Sequence, residues 1–219
     1  MKLFKQILCT VGAAVALAAF AAPASAGPIY TFSCITDNAP GDCTSAESQL
    51  SMEVIDDGGG LVSFLFKNAV GDAMSITDIY FDDDSLLGAF VISDSGAGVA
   101  FSPNASPGNL PAGNTALPPF VTSVGLSADS DPPVAPNGVN AAGEWVNFQF
   151  SLLGGNTYAS VLTDLETGDL RVGLHVQAFE SGSSESLINN GNPVPEPGTL
   201  LLLGAGLTGL ASRRRRSNR

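Results

Sequence analysis

The sequence predicts an all-β chain, an antiparallel β-sandwich of jelly-roll-like form carrying one short helix. Three observations carry that prediction. Apolar residues alternate with polar ones in several short runs, the pattern of strands with one face on a core. Glycine (25 residues) and proline (14 residues) are abundant in the 219-residue chain and cluster between those runs, where they mark turns and loops. Helical spacing is confined to one segment of the middle, so the crossover helices that a parallel sheet requires are missing.

Taken in order, Leu50, Met52 and Val54 alternate with Ser51 and Glu53, and Val62, Phe64 and Phe66 share a face opposite Ser63 and Lys67. Between them, Asp56-Asp57-Gly58-Gly59-Gly60 is turn chemistry, so the two runs read as a hairpin. Further strands are expected at Ile76–Phe81, Ala89–Ser93, Val121–Leu126, Trp145–Leu153 and Leu170–Phe179. In the last of these Leu170, Val172, Leu174 and Val176 point inward, which leaves His175 on the other, exposed face. Tyr158, Val161, Leu162 and Leu165 follow helical spacing, with Thr157 placed as a cap and Gly168 as a stop. Ser102 to Asn140 is interrupted by eight prolines and reads as long surface loops flanking the Val121 strand. No internal repeat is visible, which disfavours propellers and solenoids.

Both ends carry a different chemistry. Lys2 and Lys5 precede an apolar run from Ile7 to Ala22, and Ala24-Ser25-Ala26 supplies small residues at the spacing a signal peptidase accepts. Residues 1–26 therefore read as a secretory signal peptide, a signal helix cut between Ala26 and Gly27. Cys9 lies too early in the apolar core to be a lipoprotein acceptor. At the far end Val194-Pro195-Glu196-Pro197-Gly198 leads into Thr199 to Ala211, nearly all Leu, Gly and Ala, and then into Arg213, Arg214, Arg215, Arg216 and Arg219. The prolines keep their stretch extended, so a single transmembrane helix begins after them. Gly198 to Ser212 spans roughly 22 Å at about 1.5 Å per residue, somewhat short of a bilayer core near ~30 Å. Snorkelling arginines make up the difference, and their charge keeps them cytoplasmic with everything before the helix outside.

This order of three parts, over residues 194–219, resembles the bacterial proteins that carry a PEP-CTERM sorting signal. The resemblance implies recognition of Pro195, Glu196 and Pro197 by an exosortase, a membrane-embedded cysteine protease-transpeptidase of Gram-negative bacteria. It also implies removal of the tail on the way to the surface, and a matrix role in biofilm or floc. The expected organisation is thus a signal peptide (1–26), an ectodomain (27–180), a flexible Ser/Gly/Asn-rich spacer (181–193) and a sorting signal (194–219). The expected partners are the Sec translocon and signal peptidase, the exosortase, the inner membrane transiently, and exopolysaccharide. The expected route runs from the periplasm to the outer surface or matrix.

Of nine basic residues only Lys67 and Arg171 lie between the two addresses, against 20 of the 21 acids, a net charge of −18. Nucleic acid is excluded as a partner, because nothing is left to neutralise phosphates. Cys34 and Cys43 are the remaining cysteines, and in an oxidising compartment they are expected to form a disulfide.

Asp82, Asp83 and Asp84, with Asp78 and the Asp56-Asp57 turn nearby, offer hard oxygen ligands suited to Ca²⁺; the alternative is a solvated acidic turn. Trp145, Tyr30, Tyr80 and Tyr158 offer a sugar-stacking platform, against which stands core packing of Trp145 and Phe148. Asn104-Ala105-Ser106 matches a glycosylation acceptor in a loop. No Gly-x-Ser-x-Gly elbow occurs and His175 is the one histidine, so no catalytic residues and no cofactor are assigned. The leading expectation is a non-enzymatic surface or matrix protein. The alternatives are a carbohydrate- or calcium-binding module, or a secreted hydrolase using His175 as its base.

Overall fold

The structure is a computed structural model in which residues 27–69 and 71–194 are described. The signal helix with Ala24 and Ala26, the Pro195-Glu196-Pro197 motif, the transmembrane helix and Arg213 to Arg216 lie outside the described residues. Among the described residues no helix is long and apolar enough to cross a membrane.

Two antiparallel sheets pack face to face. The first runs, in spatial order, β1 (Ile29–Tyr30), β3 (Leu50–Gly58), β4 (Leu61–Asn68), β9 (Trp145–Leu152) and β6 (Leu87–Asp94). The second runs β2 (Phe32–Cys34), β11 (Glu185–Asn189), β10 (Leu170–Gln177), β5 (Ser75–Asp83), β8 (Ser127–Ser130) and β7 (Phe101–Pro103). Three α-helices, where the sequence leads to one, and a 3-10 turn at Gly113–Thr115 complete the described residues: α1 (Asp42–Gln49), α2 (Val134–Asn137) and α3 (Tyr158–Thr167).

Period-two patterning explains the core. The β3–β4 register pairs Met52 with Phe66 and Val54 with Phe64, and β4–β9 pairs Phe64 with Phe148 and Phe66 with Val146, so one face of each strand is apolar and fully buried. Phe81 of the opposite sheet enters that face, 4.8 Å from the ring of Phe150 and 5.3 Å from that of Phe64, both edge-on. Edge-on aromatic pairs of this kind add about 0.5–1.5 kcal/mol each beyond the area they bury. The hairpin turn needs its glycines, since Gly58, Gly59 and Gly60 all hold positive φ, between 63° and 79°.

Three expectations need correction. The strand expected over 121–126 is a turn: Ser123 N–H donates to Phe81 O (2.9 Å), Gly125 has φ +77°, and Val124 is fully exposed. The strand forms just after it, as β8. The spacer expected over 181–193 contains β11, an interior strand between β2 and β10 with Glu185, Ser186 and Leu187 buried, so the domain runs on to Val194. Its polar composition hides it, because main-chain pairing rather than apolar side chains recruits it.

The proline-rich segment is likewise no free loop. Ala105, Leu110, Ala116 and Phe120 pack with Tyr80 on the outer face of the second sheet. Gly173 leaves them room, for a Cβ there would meet Leu110 Cδ2 at 2.8 Å. Arg171 latches the segment: it donates to Pro118 O and Pro119 O, both at 2.6 Å, pairs with Asp82, and lies over the Phe120 ring at 5.4 Å.

Candidate functional site

The edge formed by β1 and the last described turn brings together the two points at which the sequence expects processing. Strand β1 is placed by its ladder with β3, Ile29 opposite Glu53 and Tyr30 opposite Met52, and Val54 N–H donates to Pro28 O at 3.1 Å. The chain leaving β11 then returns along the same strand. Asn190 N–H donates to Thr31 O (2.8 Å), the Asn190 side chain bonds Thr31 Oγ1 (2.8 Å) and Ser33 Oγ (2.8 Å), and Val194 N–H donates to Ile29 O (2.7 Å). Gly27, first after the expected signal cleavage, and Val194, last before Pro195, therefore leave the sandwich at one edge. Neither Thr31 nor Asn190 announces this in the sequence, because their pairing spans 159 positions.

Cys34 and Cys43 are joined by a disulfide, with 5.9 Å between their Cα atoms. It closes β2 onto α1 and contributes about 2.5 kcal/mol by restricting the unfolded chain. Beside it Glu185, fully buried, accepts from the amides of Asn38 (2.7 Å) and Ala39 (3.2 Å) and from the hydroxyl of Thr36. Sequence reasoning missed Glu185, since a glutamate in a serine-rich run has no distinguishing mark.

The Asp82-Asp83-Asp84 run does not converge. Asp82 turns to Arg171, Asp83 accepts from the amides of Leu86 (3.0 Å) and Leu87 (2.9 Å) to close the β5–β6 turn, and Asp84 is exposed. Burial pushes the Asp83 carboxyl up, opposed by those two amides and reinforced by Asp84 and Asp82. Asp83 and Asp84 instead share a depression of about 270 Å³ with Asn156, Asp164 and Asp169. Among the described residues, the one grouping of three potential ligand atoms all within 4.8 Å is Cys34, Cys43 and Glu185, and there the sulfurs are bonded to each other.

His175 is not the exposed histidine of the sequence reading. Its Nδ1 lies 2.9 Å from Asp78 Oδ2, with Gln177 Nε2 at 3.2 Å, and its side chain is only 14 % exposed. Among the described residues no hydroxyl or thiol bonds the ring, so the constellation holds an orienting carboxylate and an imidazole without a nucleophile. The aromatic residues are also dispersed. Tyr30 and Tyr80 are buried in different clusters, Tyr158 donates to Val54 O (2.8 Å), and Trp145 is half-buried on the outer face of the first sheet with Asn147 and Gln149. Core packing holds for Phe148 and fails for Trp145, which sits on the opposite side of β9 from it. Asn104 is exposed.

No curated protein and no solved structure matches the chain. A family model described as the PEP-CTERM protein-sorting motif matches residues 193–216, beginning at the residue before clasped Val194. The chain thus carries a PEP-CTERM protein-sorting motif, attached directly to the edge of a β-sandwich where its first strand also begins.

Proposed function

We propose that this is a non-enzymatic protein of the cell surface or extracellular matrix. The motif itself implies export with membrane-anchored sorting, and an exosortase as processing partner. In the proposed route the Sec translocon and signal peptidase deliver the ectodomain to the periplasm, and the tail holds it briefly in the inner membrane. The exosortase then releases it toward the outer surface, where it associates with exopolysaccharide. The observation that carries this reading is the motif at 193–216 meeting the folded edge at Val194. Both membrane-directed segments then leave from one side, so a precursor tethered at either end presents the same orientation, with β6 and β7 at the far edges of the two sheets.

The test replaces Pro195, Glu196 and Pro197 with alanine in a host that has an exosortase. The expected result is accumulation of a full-length, tail-bearing chain in the inner membrane. Processing at the rate of the unaltered chain sinks the reading.

A further inference from the structure

We propose that the Glu53 carboxylate is a binding site for the α-ammonium group that signal-peptide removal creates on Gly27, so that this cleavage completes the fold. The inference rests on cleavage between Ala26 and Gly27. The Gly27 nitrogen lies 3.2 Å from Glu53 Oε1, while Glu53 Oε2 holds Lys67 Nζ at 3.0 Å. The carboxylate is only 15 % exposed, fixed between its two donors. The seat also admits no side chain: a Cβ on Gly27 would stand 1.8 Å from Val54 O and 2.6 Å from its carbonyl carbon, main-chain atoms of β3 that have nowhere to move.

Hydrolysis of the Ala26–Gly27 peptide bond consumes one water. The C–N bond breaks, the water oxygen bonds to the Ala26 carbonyl carbon, which departs as a carboxylate, and both protons of the water end on the Gly27 nitrogen. A neutral amide with one N–H to give becomes a cation with three. Lys67 and Arg171 are the only side-chain cations between the two addresses, and both already pair with carboxylates. The new ammonium is a third cation in a strongly acidic domain, formed within hydrogen-bond reach of an acceptor already in position. Because Ile29, two residues on, receives Val194 N–H, the same docking steadies the chain entering the sorting motif.

The experiment uses processed protein from a host with both peptidases, alongside Glu53→Gln and a form that keeps Ala26 ahead of Gly27. Mass spectrometry fixes each N-terminus. Melting temperature and the rate at which an acylating reagent labels the α-amine are then compared. The expected result is a mature chain beginning at Gly27 whose amine reacts several-fold more slowly than in either other form, and a lower melting temperature for the Ala26-retaining form, which keeps Glu53 intact. Equal amine reactivity and equal melting in the mature and Ala26-retaining forms overturn the proposal, as does a mature chain beginning elsewhere. Tail processing is scored separately in the same spectra, so a failure of the exosortase reading shows at the other end of the chain.

Discussion

Glu185 is fully buried, and each of its oxygens is used: one takes the amides of Asn38 and Ala39, the other the hydroxyl of Thr36. Replacing it with alanine strands donors that were satisfied by a charged acceptor. Glu185→Ala is expected to cost about 3 kcal/mol, read as a lower urea midpoint at unchanged slope, and Glu185→Gln, which keeps one acceptor oxygen, is expected to cost less. An alanine variant with the parent midpoint means the 36–39 segment is held by something else. The sequence offers no warning of this residue, because its partners lie up to 149 positions away and its neighbours are all small and polar. Cys34 and Cys43 are legible for the opposite reason: they are nine residues apart, in a chain whose first 26 residues read as an export signal.

Helix α3 shows the same contrast one scale up. Its spacing was readable because Val161 and Leu165 are buried on one side, and its limits because Thr157 N–H bonds Ser160 Oγ (3.2 Å) and Gly168 closes it at φ +82°. The long strands β3, β4 and β9 were readable too, each with one face on the core. By contrast β5 is buried on both faces over most of its length, which the half-buried alternation expected for it does not show, and β1, β2 and β7, of two or three residues, are too short to show a period. The last turn of α3 carries Asp164, where the helix dipole disfavours negative charge. Burial, then Asp169, Asp83 and Asp84, pushes its carboxyl above the ordinary value of 3.8. A carboxyl raised on folding binds its proton more tightly in the folded state, so it weakens the fold at neutral pH. That penalty fades as pH falls through the raised value toward 3.8. Asp164→Asn is therefore expected to raise the melting temperature at neutral pH, by an amount worth about 0.3–1 kcal/mol, and to leave it unchanged near pH 3. A gain of equal size at both pH values would assign the effect to something other than charge.

At the scale of the molecule, 20 acids against Lys67 and Arg171 make self-repulsion a property of the whole domain. Carboxyls pushed up by neighbouring carboxylates are its local signs, Asp129 by Asp78 and Asp131 after burial, and Asp164 by Asp169. Screening shortens the reach of such repulsion from about 10 Å at 0.1 M salt to about 3 Å at 1 M, so the melting temperature is expected to rise with NaCl. Whether calcium does more than screen is a sharper question. A dedicated Ca²⁺ site needs six to eight oxygens at about 2.3–2.6 Å, contributed by groups that converge. Asp83 is committed to the β5–β6 turn and Asp82 to Arg171, and no three acids around the Asp164 depression bring their oxygens within 4.8 Å of one another. CaCl₂, MgCl₂ and NaCl at matched ionic strength are accordingly expected to raise the melting temperature along one curve. A calcium-specific increment, lost in Asp84→Asn and Asp169→Asn, would instead mean that the depression closes around an ion and that the acidity of this domain serves binding as well as solubility.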